Sequence, residues 1–410
     1  MRLQAAGETL ADLGEWELIH RLGAFAPPGQ FADDAALLNE PVASNGPATE
    51  GVGGETGCPT AALSTLVVNT DVLVEGIHFS EATTAPADVG WRAAAANLSD
   101  LAAMGCGEVV GLTVGLVAPG STPWSWVEEV YLGLHAALEA HGGVLLGGDC
   151  SGGAQRMLAV TALGRLPAPP PGHWSPAAAA PRVSAGAAGA LPSAPWGAIR
   201  RGDGQPGDTL LCTGPHGLSR LGLALLQGTL PGLDPSGPQG RGSAALPALS
   251  ADPDALADRS GLGAALVRRA IRCHQRPVPR LDAVRALIDS HPEGQPWRVG
   301  GCDSSDGLAA AVAAIGQASG CAARLDRSRL PLDPAMAALP EAQAWCLSGG
   351  EDFELVLALE PGWADALLQA LPGATRIGEL ISGEPGGLGW SDGGRWPGVA
   401  STGLGYQHFH

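Results

Sequence analysis

The sequence predicts a two-domain chain of mixed α/β (α+β) class, and three observations carry that expectation. The chain has 410 residues, enough for two domains that each bury a core. Apolar, β-branched runs alternate with Ala- and Leu-rich helical patterns in both halves, as mixed architectures require. Three intervening stretches are too biased in composition to pack a core: Asn39 to Ser64, Pro167 to Pro195, and Gly228 to about Arg259. The middle one sets the boundary. It gives an N-terminal domain over 1–166, an insert over 167–195 and a C-terminal domain over 196–410.

The elements follow in order. Residues 66–70 (LVVNT) are apolar and β-branched, which predicts a short buried strand. A helix is expected over 86–104, opening on Pro86 and stopping at Gly105. A second helix fits 125–141, followed by a strand over 143–146 that runs into Gly147-Gly148-Asp149. In the second half, 209–212 and 353–359 read as strands, and 218–226, 281–290, 307–317 and 361–371 as helices.

Composition excludes several functions. The net charge is −18, and all 23 basic residues are Arg, because the chain contains no Lys. A Walker-type phosphate loop needs a lysine, as do protein kinases and Schiff-base enzymes, so none of these classes applies. No basic stripe is present to neutralise a nucleic acid, and no long apolar run predicts a membrane span. The first residues lack the form of a signal peptide, and eight Cys occur without a CxxC pair. A soluble, cytoplasmic protein with reduced thiols is expected. If such a chain handles phosphate, metal ions must supply most of the positive charge.

The acidic residues gather at predicted strand ends and Gly-rich turns: Asp33-Asp34, Asp71, Asp100, Asp149, Asp303, Asp306 and Glu351-Asp352. Taken singly, each is accounted for as a cap or turn residue. Several such carboxylates converging suit Mg²⁺, which takes a few carboxylates together with substrate phosphates. In Asp303-Ser304-Ser305-Asp306-Gly307, two carboxylates flank a turn whose amides and hydroxyls can face a phosphate. Asp306 is equally an N-cap. Arg200-Arg201 is a surface pair or a phosphate clamp, and His78 a structural hydrogen bonder or a substrate contact.

Read together, GEWELIHRLGAF with FADDAALL, VVNTDVLVEGIHF, NLSDLAAMG, LLGGD, QPGDTLLCTG, RPVPRL, DSSDGLAA, LSGGEDFELVLAL, IGEL and GYQHF run in order along nearly the whole chain. In that order they resemble the thiamine-monophosphate kinase family, within the aminoimidazole-ribonucleotide-synthetase-like superfamily. The resemblance implies that superfamily's two-domain fold, with an N-terminal α/β domain forming a dimer sheet or barrel and a C-terminal α+β domain. It implies direct in-line transfer of the ATP γ-phosphoryl group to thiamine monophosphate, with several Mg²⁺ ions, no covalent nucleophile and a homodimer.

Carried over residue by residue, the resemblance makes Asp34, Asn69, Thr70, Asp71, Asp100, Asp149, Asp303 and Asp306 the metal ligands. It makes Gly148, Asp149, Arg201, Ser305 and Tyr131 the ATP contacts, and His78, Glu351 and Tyr406 the substrate contacts. The chain departs from the family pattern at Ala32, Asn69, Cys150-Ser151-Gly152 and the 215–220 turn. None of these departures removes an assigned carboxylate. Related enzymes fit less well. Selenophosphate synthetase wants a reactive N-terminal Cys, the aminoimidazole-ribonucleotide synthetase itself a Gly-Val-Gly-Thr-Lys turn, and the hydrogenase-maturation dehydratase a C-terminal Cys. A catalytically inactive Mg-nucleotide-binding protein of the same fold is the alternative from another class.

Overall fold

The computed structural model describes residues 17–21, 23–25, 32–41, 63–170, 195–230, 252–394 and 396. Two sheets organise them. The first has the order β1-β2-β5-β3-β4 and uses β1 (Ala36–Pro41), β2 (Leu63–Val74), β3 (Glu108–Ala118), β4 (Val144–Gly152) and β5 (Met157–Arg165). Its pairs are antiparallel except β3 with β4, which run parallel. Burial alternates along β5, as expected of a strand with one face on the core.

Helices α1 (Pro86–Ala103) and α2 (Trp124–His141) pack together over this sheet. Their approach depends on two glycines. A Cβ on Gly90 would stand 1.9 Å from the Val130 carbonyl oxygen, and one on Gly133 would stand 1.8 Å from that of Ala87. Only hydrogen fits at that crossing.

The second sheet has the order β11-β8-β10-β6-β9-β7. It is built from β6 (Thr209–Cys212), β7 (Gly300–Asp303), β8 (Ala322–Leu325), β9 (Leu355–Leu359), β10 (Thr375–Ile381) and β11 (Leu388–Trp390). Helices α3 (Leu218–Gln227), α4 (Pro253–Ser260) and α5 (Ala264–Gln275) share a separate core with Met336 and Ala342. The remaining helices are α6 (Leu281–Asp289), α7 (Leu308–Ser319), α8 (Ala342–Ser348) and α9 (Pro361–Ala370). One apolar core runs from the first sheet through α1 and α6 to Leu355, Leu357 and Trp363.

Most predicted elements stand within a residue or two of their expected bounds, with differences that have physical causes. The third low-complexity stretch reaches too far, because α4 falls inside it. Asp252 caps that helix by accepting the Asp254 amide at 3.0 Å, Pro253 opens it, and Leu256 and Ala257 are buried. The strand expected over 143–146 continues to Gly152, so Gly147-Gly148-Asp149 lies within β4 rather than in a turn. Asp71 likewise sits inside β2 rather than at its end. Residues 42–62, 171–194 and 231–251, the middles of the three biased stretches, lie outside the described residues.

Candidate active site

Three carboxylates from distant parts of the chain meet between the two sheets. Asp34 precedes β1, Asp100 is on α1, and Asp303 ends β7. Their ligand oxygens all lie within 4.8 Å of one another. Burial pushes the Asp34 carboxyl up to about 7, with Asp303 and Asp33 adding repulsion while the Arg201 guanidinium opposes the rise. Asp100 is raised well above the usual carboxylate range, by burial first and then by the charges of Asp71, Asp303 and Asp34. Asp71 is pushed up to about 6 by burial and by Asp303 and Asp306, which places both of those carboxylates in its field. Like charges packed this way favour a cation among them.

Neighbouring polar groups brace the cluster. Ser99 donates its hydroxyl to Asp303 Oδ2 at 2.7 Å, and Ser305 donates to Asp303 Oδ1 at 3.1 Å. The Asn69 side-chain nitrogen donates to Asp100 Oδ2 at 2.6 Å and to Asn97 Oδ1 at 3.2 Å. Two buried acceptors are left over: Asp34 Oδ2 and Asn69 Oδ1 have no hydrogen-bond partner. Hard oxygen donors, repelling carboxylates and orphaned acceptors together fit Mg²⁺.

Arg201 is the guanidinium that meets this cluster. It donates to Asp34, and its backbone amide donates to Asp33 Oδ1 at 2.9 Å. Arg200 is turned away and pairs with Asp203 at 2.6 Å. Of the two, Arg201 is the one that pairs with a carboxylate of the cluster.

A second group of residues lies beside Glu351. Its carboxylate receives a 2.5 Å bond from Arg92. Burial opposes ionisation of Glu351, but the Arg92 charge and hydrogen bond, together with the nearby His274 and His78, leave the carboxyl below its usual range. His274, held neutral by burial and then by Arg92, approaches Glu351 to 3.6 Å as a polar contact rather than an ion pair. The Glu351 amide donates to the Ser305 carbonyl at 2.7 Å, joining this loop to the 303–306 turn. His78 follows β2, where its Nδ1 accepts the Val74 amide at 3.0 Å.

Other residues singled out in the sequence stand apart. Thr70 is exposed on the opposite pleat face from Asn69 and Asp71, and its hydroxyl meets that of Thr161 at 2.8 Å. Asp149 is exposed on the edge strand β4, outside the three-carboxylate cluster. Gly148, beside it, packs so closely on β3 that a Cβ would stand 2.0 Å from the Val114 carbonyl oxygen. Tyr131, half-buried on α2, has its hydroxyl pKa raised by burial and by the neighbouring Cys150. Tyr406 lies outside the described residues.

A family model described as the N-terminal domain of AIR synthase related proteins matches residues 52–166. The thiamine-monophosphate kinase of Synechococcus elongatus is 40% identical over 402 residues, covering 98% of each chain. That of Prochlorococcus marinus is 39% identical over 386 residues, covering 94% of this chain and 93% of the relative. The chain belongs to the thiamine-monophosphate kinase family. Its fold agrees with solved structures. AaThiL complexed with AMPPCP and TMP superposes with a TM-score of 0.67 at 22% identity, covering 99% of this chain and all of that one. The thiamine-monophosphate kinase of Stenotrophomonas maltophilia K279a gives 0.57 at 28% identity, over 81% of this chain and 89% of that one.

Among the supports of the carboxylates, Asn69 and Ser305 stand out in the sequence, and Asn97 and Ser99 lie within NLSDLAAMG without being singled out there. Arg92 and His274 carry no motif that marks them. The acidic motif Glu351-Asp352-Phe353-Glu354 also divides in space. Glu351 meets Arg92, Asp352 caps α3 by accepting the Gly217 and Ser219 amides at 2.7 and 3.1 Å, and Glu354 pairs with Arg280.

Proposed function

We propose that this chain is a Mg²⁺-dependent thiamine-monophosphate kinase, transferring the γ-phosphoryl group of ATP to thiamine monophosphate. The observation that carries this reading is the convergence of Asp34, Asp100 and Asp303 within 4.8 Å, in a chain whose full-length relatives carry that name. Asp34, Asp71, Asp100, Asp303 and Asp306, with Asn69 Oδ1 as a further donor, would hold Mg²⁺, which would supply the positive charge that a lysine-free protein lacks for phosphate oxygens.

The chain's own residues do the rest. Arg201 turns a guanidinium towards the nucleotide phosphates, and Ser305 and Gly148 offer a hydroxyl and a close backbone. His78 and Glu351 hold the acceptor. An oxygen of the acceptor phosphate bonds to the γ-phosphorus as the bond from that phosphorus to the ADP oxygen breaks. Positioning and charge stabilisation drive this step, and no phosphoenzyme forms.

The assembly is a homodimer through the first sheet. β4 is an edge strand exposed along its whole length, and Val144, Leu145 and Leu146 present 58%, 46% and 47% of their surface. An apolar edge of this kind calls for a covering partner. Residues 1–166 form the nucleotide and dimer domain, 167–195 an insert and 196–410 the second domain. Among the described residues no helix is long and apolar enough to cross a membrane, and a cytoplasmic enzyme using ATP is part of the proposed reading.

The deciding experiment is chromatographic product analysis of the protein with ATP, Mg²⁺ and thiamine monophosphate. Thiamine diphosphate is expected in equal amount to ADP, and only with metal. ADP alone would reject the acceptor; ATP binding without turnover would favour an inactive binding protein.

A further inference from the structure

Arg92 has no part in the phosphate chemistry described above, yet it is the most committed cation near the acceptor residues. Its side chain is 4% exposed, and both terminal guanidinium nitrogens are taken up by protein acceptors, leaving Nε buried without a partner. The guanidinium donates to the carbonyl of His274 in the last turn of α5, to Glu351 Oε1, and to the carbonyl of His78 at 3.4 Å. One planar fork thereby ties together three segments that the chain brings from far apart.

The segment it ties at Glu351 is conformationally costly. Glu351 and Phe353 both adopt left-handed backbone, with φ of 57° and 52°. Non-glycine residues hold such angles only where their surroundings fix them. The amide of Glu351 is fixed by the Ser305 carbonyl and its carboxylate by Arg92. The Glu351 side chain as a whole is 34% exposed. Arg92 also precedes Asp100 by eight residues on one helix, a rise of about 12 Å. Along α1 the clasp stands away from Asp100, while its Glu351 loop meets the 303–306 turn through the backbone bond to the Ser305 carbonyl.

We propose that Arg92 is a positioning residue for the acceptor. It holds the Glu351 carboxylate and the His78 turn in the geometry that receives thiamine monophosphate, and it leaves nucleotide binding alone. This inference rests on the kinase reading.

Steady-state kinetics would test it, with each substrate varied in turn at saturating levels of the other. The proteins are the wild type, Arg92→Lys, Arg92→Met, Glu351→Gln and the Arg92→Met/Glu351→Gln double variant. The KM for thiamine monophosphate is expected to rise about 10- to 100-fold in Arg92→Met, the range that one charge-assisted bond carries. The KM for ATP stays near the wild-type value. Lys keeps the charge but loses the fork, so it rescues only part of the loss. The double variant is no worse than the poorer single variant, because Arg92 acts through Glu351.

Equal rises in both KM values, or fully additive losses in the double variant, would overturn the positioning role. So would an unchanged acceptor KM in Arg92→Lys, which can be read even if Arg92→Met fails to fold. A wild type that forms no thiamine diphosphate would overturn the functional reading and this inference together.

Discussion

Ser99 and Asp303 are 204 residues apart in the chain, and the serine hydroxyl donates to the aspartate across 2.7 Å. Both side chains are buried. The bond fastens α1 to the end of β7 and sets how closely Asp303 stands to Asp100, the next residue on the helix. Ser99→Ala is expected to destabilise the protein by about 2 kcal/mol, since a buried hydrogen bond to a charged group is lost. It should also weaken stabilisation by Mg²⁺. Denaturant titrations with and without Mg²⁺ read both, and unchanged curves would show that the bond contributes neither.

Asp306 is exposed in the turn after β7. Replacing it with Asn removes charge without opening a cavity. The variant should keep the wild-type circular dichroism spectrum while losing about 100-fold or more in turnover. A near-normal rate would remove Asp306 from the metal set.

His216 is fully buried, with Nε2 2.8 Å from the Ser304 hydroxyl and Nδ1 3.2 Å from the Cys212 thiol. Burial lowers its pKa to about 4, against an unfolded value near 6.5. The native state therefore holds a neutral imidazole that the unfolded chain protonates more readily. Its stabilising contribution is fully present above about pH 6.5 and is lost as pH falls towards about 4, at most about 3 kcal/mol. The stability gap between wild type and His216→Gln should accordingly narrow from pH 7 to pH 4.5. A gap that stays constant in urea titrations across that range would refute the assignment.

Leu145 lies near the start of the edge strand β4 and is 46% exposed. A charge there opposes strand-edge association without disturbing the core. Leu145→Glu is expected to sediment as a monomer where the wild type sediments as a dimer. A wild-type protein that is monomeric at micromolar concentration would sink the homodimer outright.

The residue types of the site were legible in the sequence; their wiring was not. Asp34, Asp71, Asp100 and Asp303 stand out because clustered carboxylates in Gly-rich surroundings are chemically conspicuous. Arg92 does not, since it reads locally as an ordinary residue of an Ala-rich helix, and Ser99, although it lies in NLSDLAAMG, shows nothing there of its bond to Asp303. Their meaning depends on partners 259 and 204 residues away. The same holds for the fold. β2, α1 and β9 announce themselves through apolar periodicity. β3 and β5 escaped notice because glycines and alanines dilute the pattern of EVVGLTVGLVA and MLAVTALGR, and pairing rather than local propensity makes them strands.

Because α1 bears Arg92 near its start and Asp100 near its end, the helix acts as a molecular ruler between the two substrates. Its length is set by covalent spacing, and its register is locked where Gly90 meets Val130. Inserting a single residue between those two positions would swing one end by about 100° around the axis relative to the other. A rigid rod of this kind fixes the spacing between the Glu351 clasp and the carboxylate cluster without any moving part.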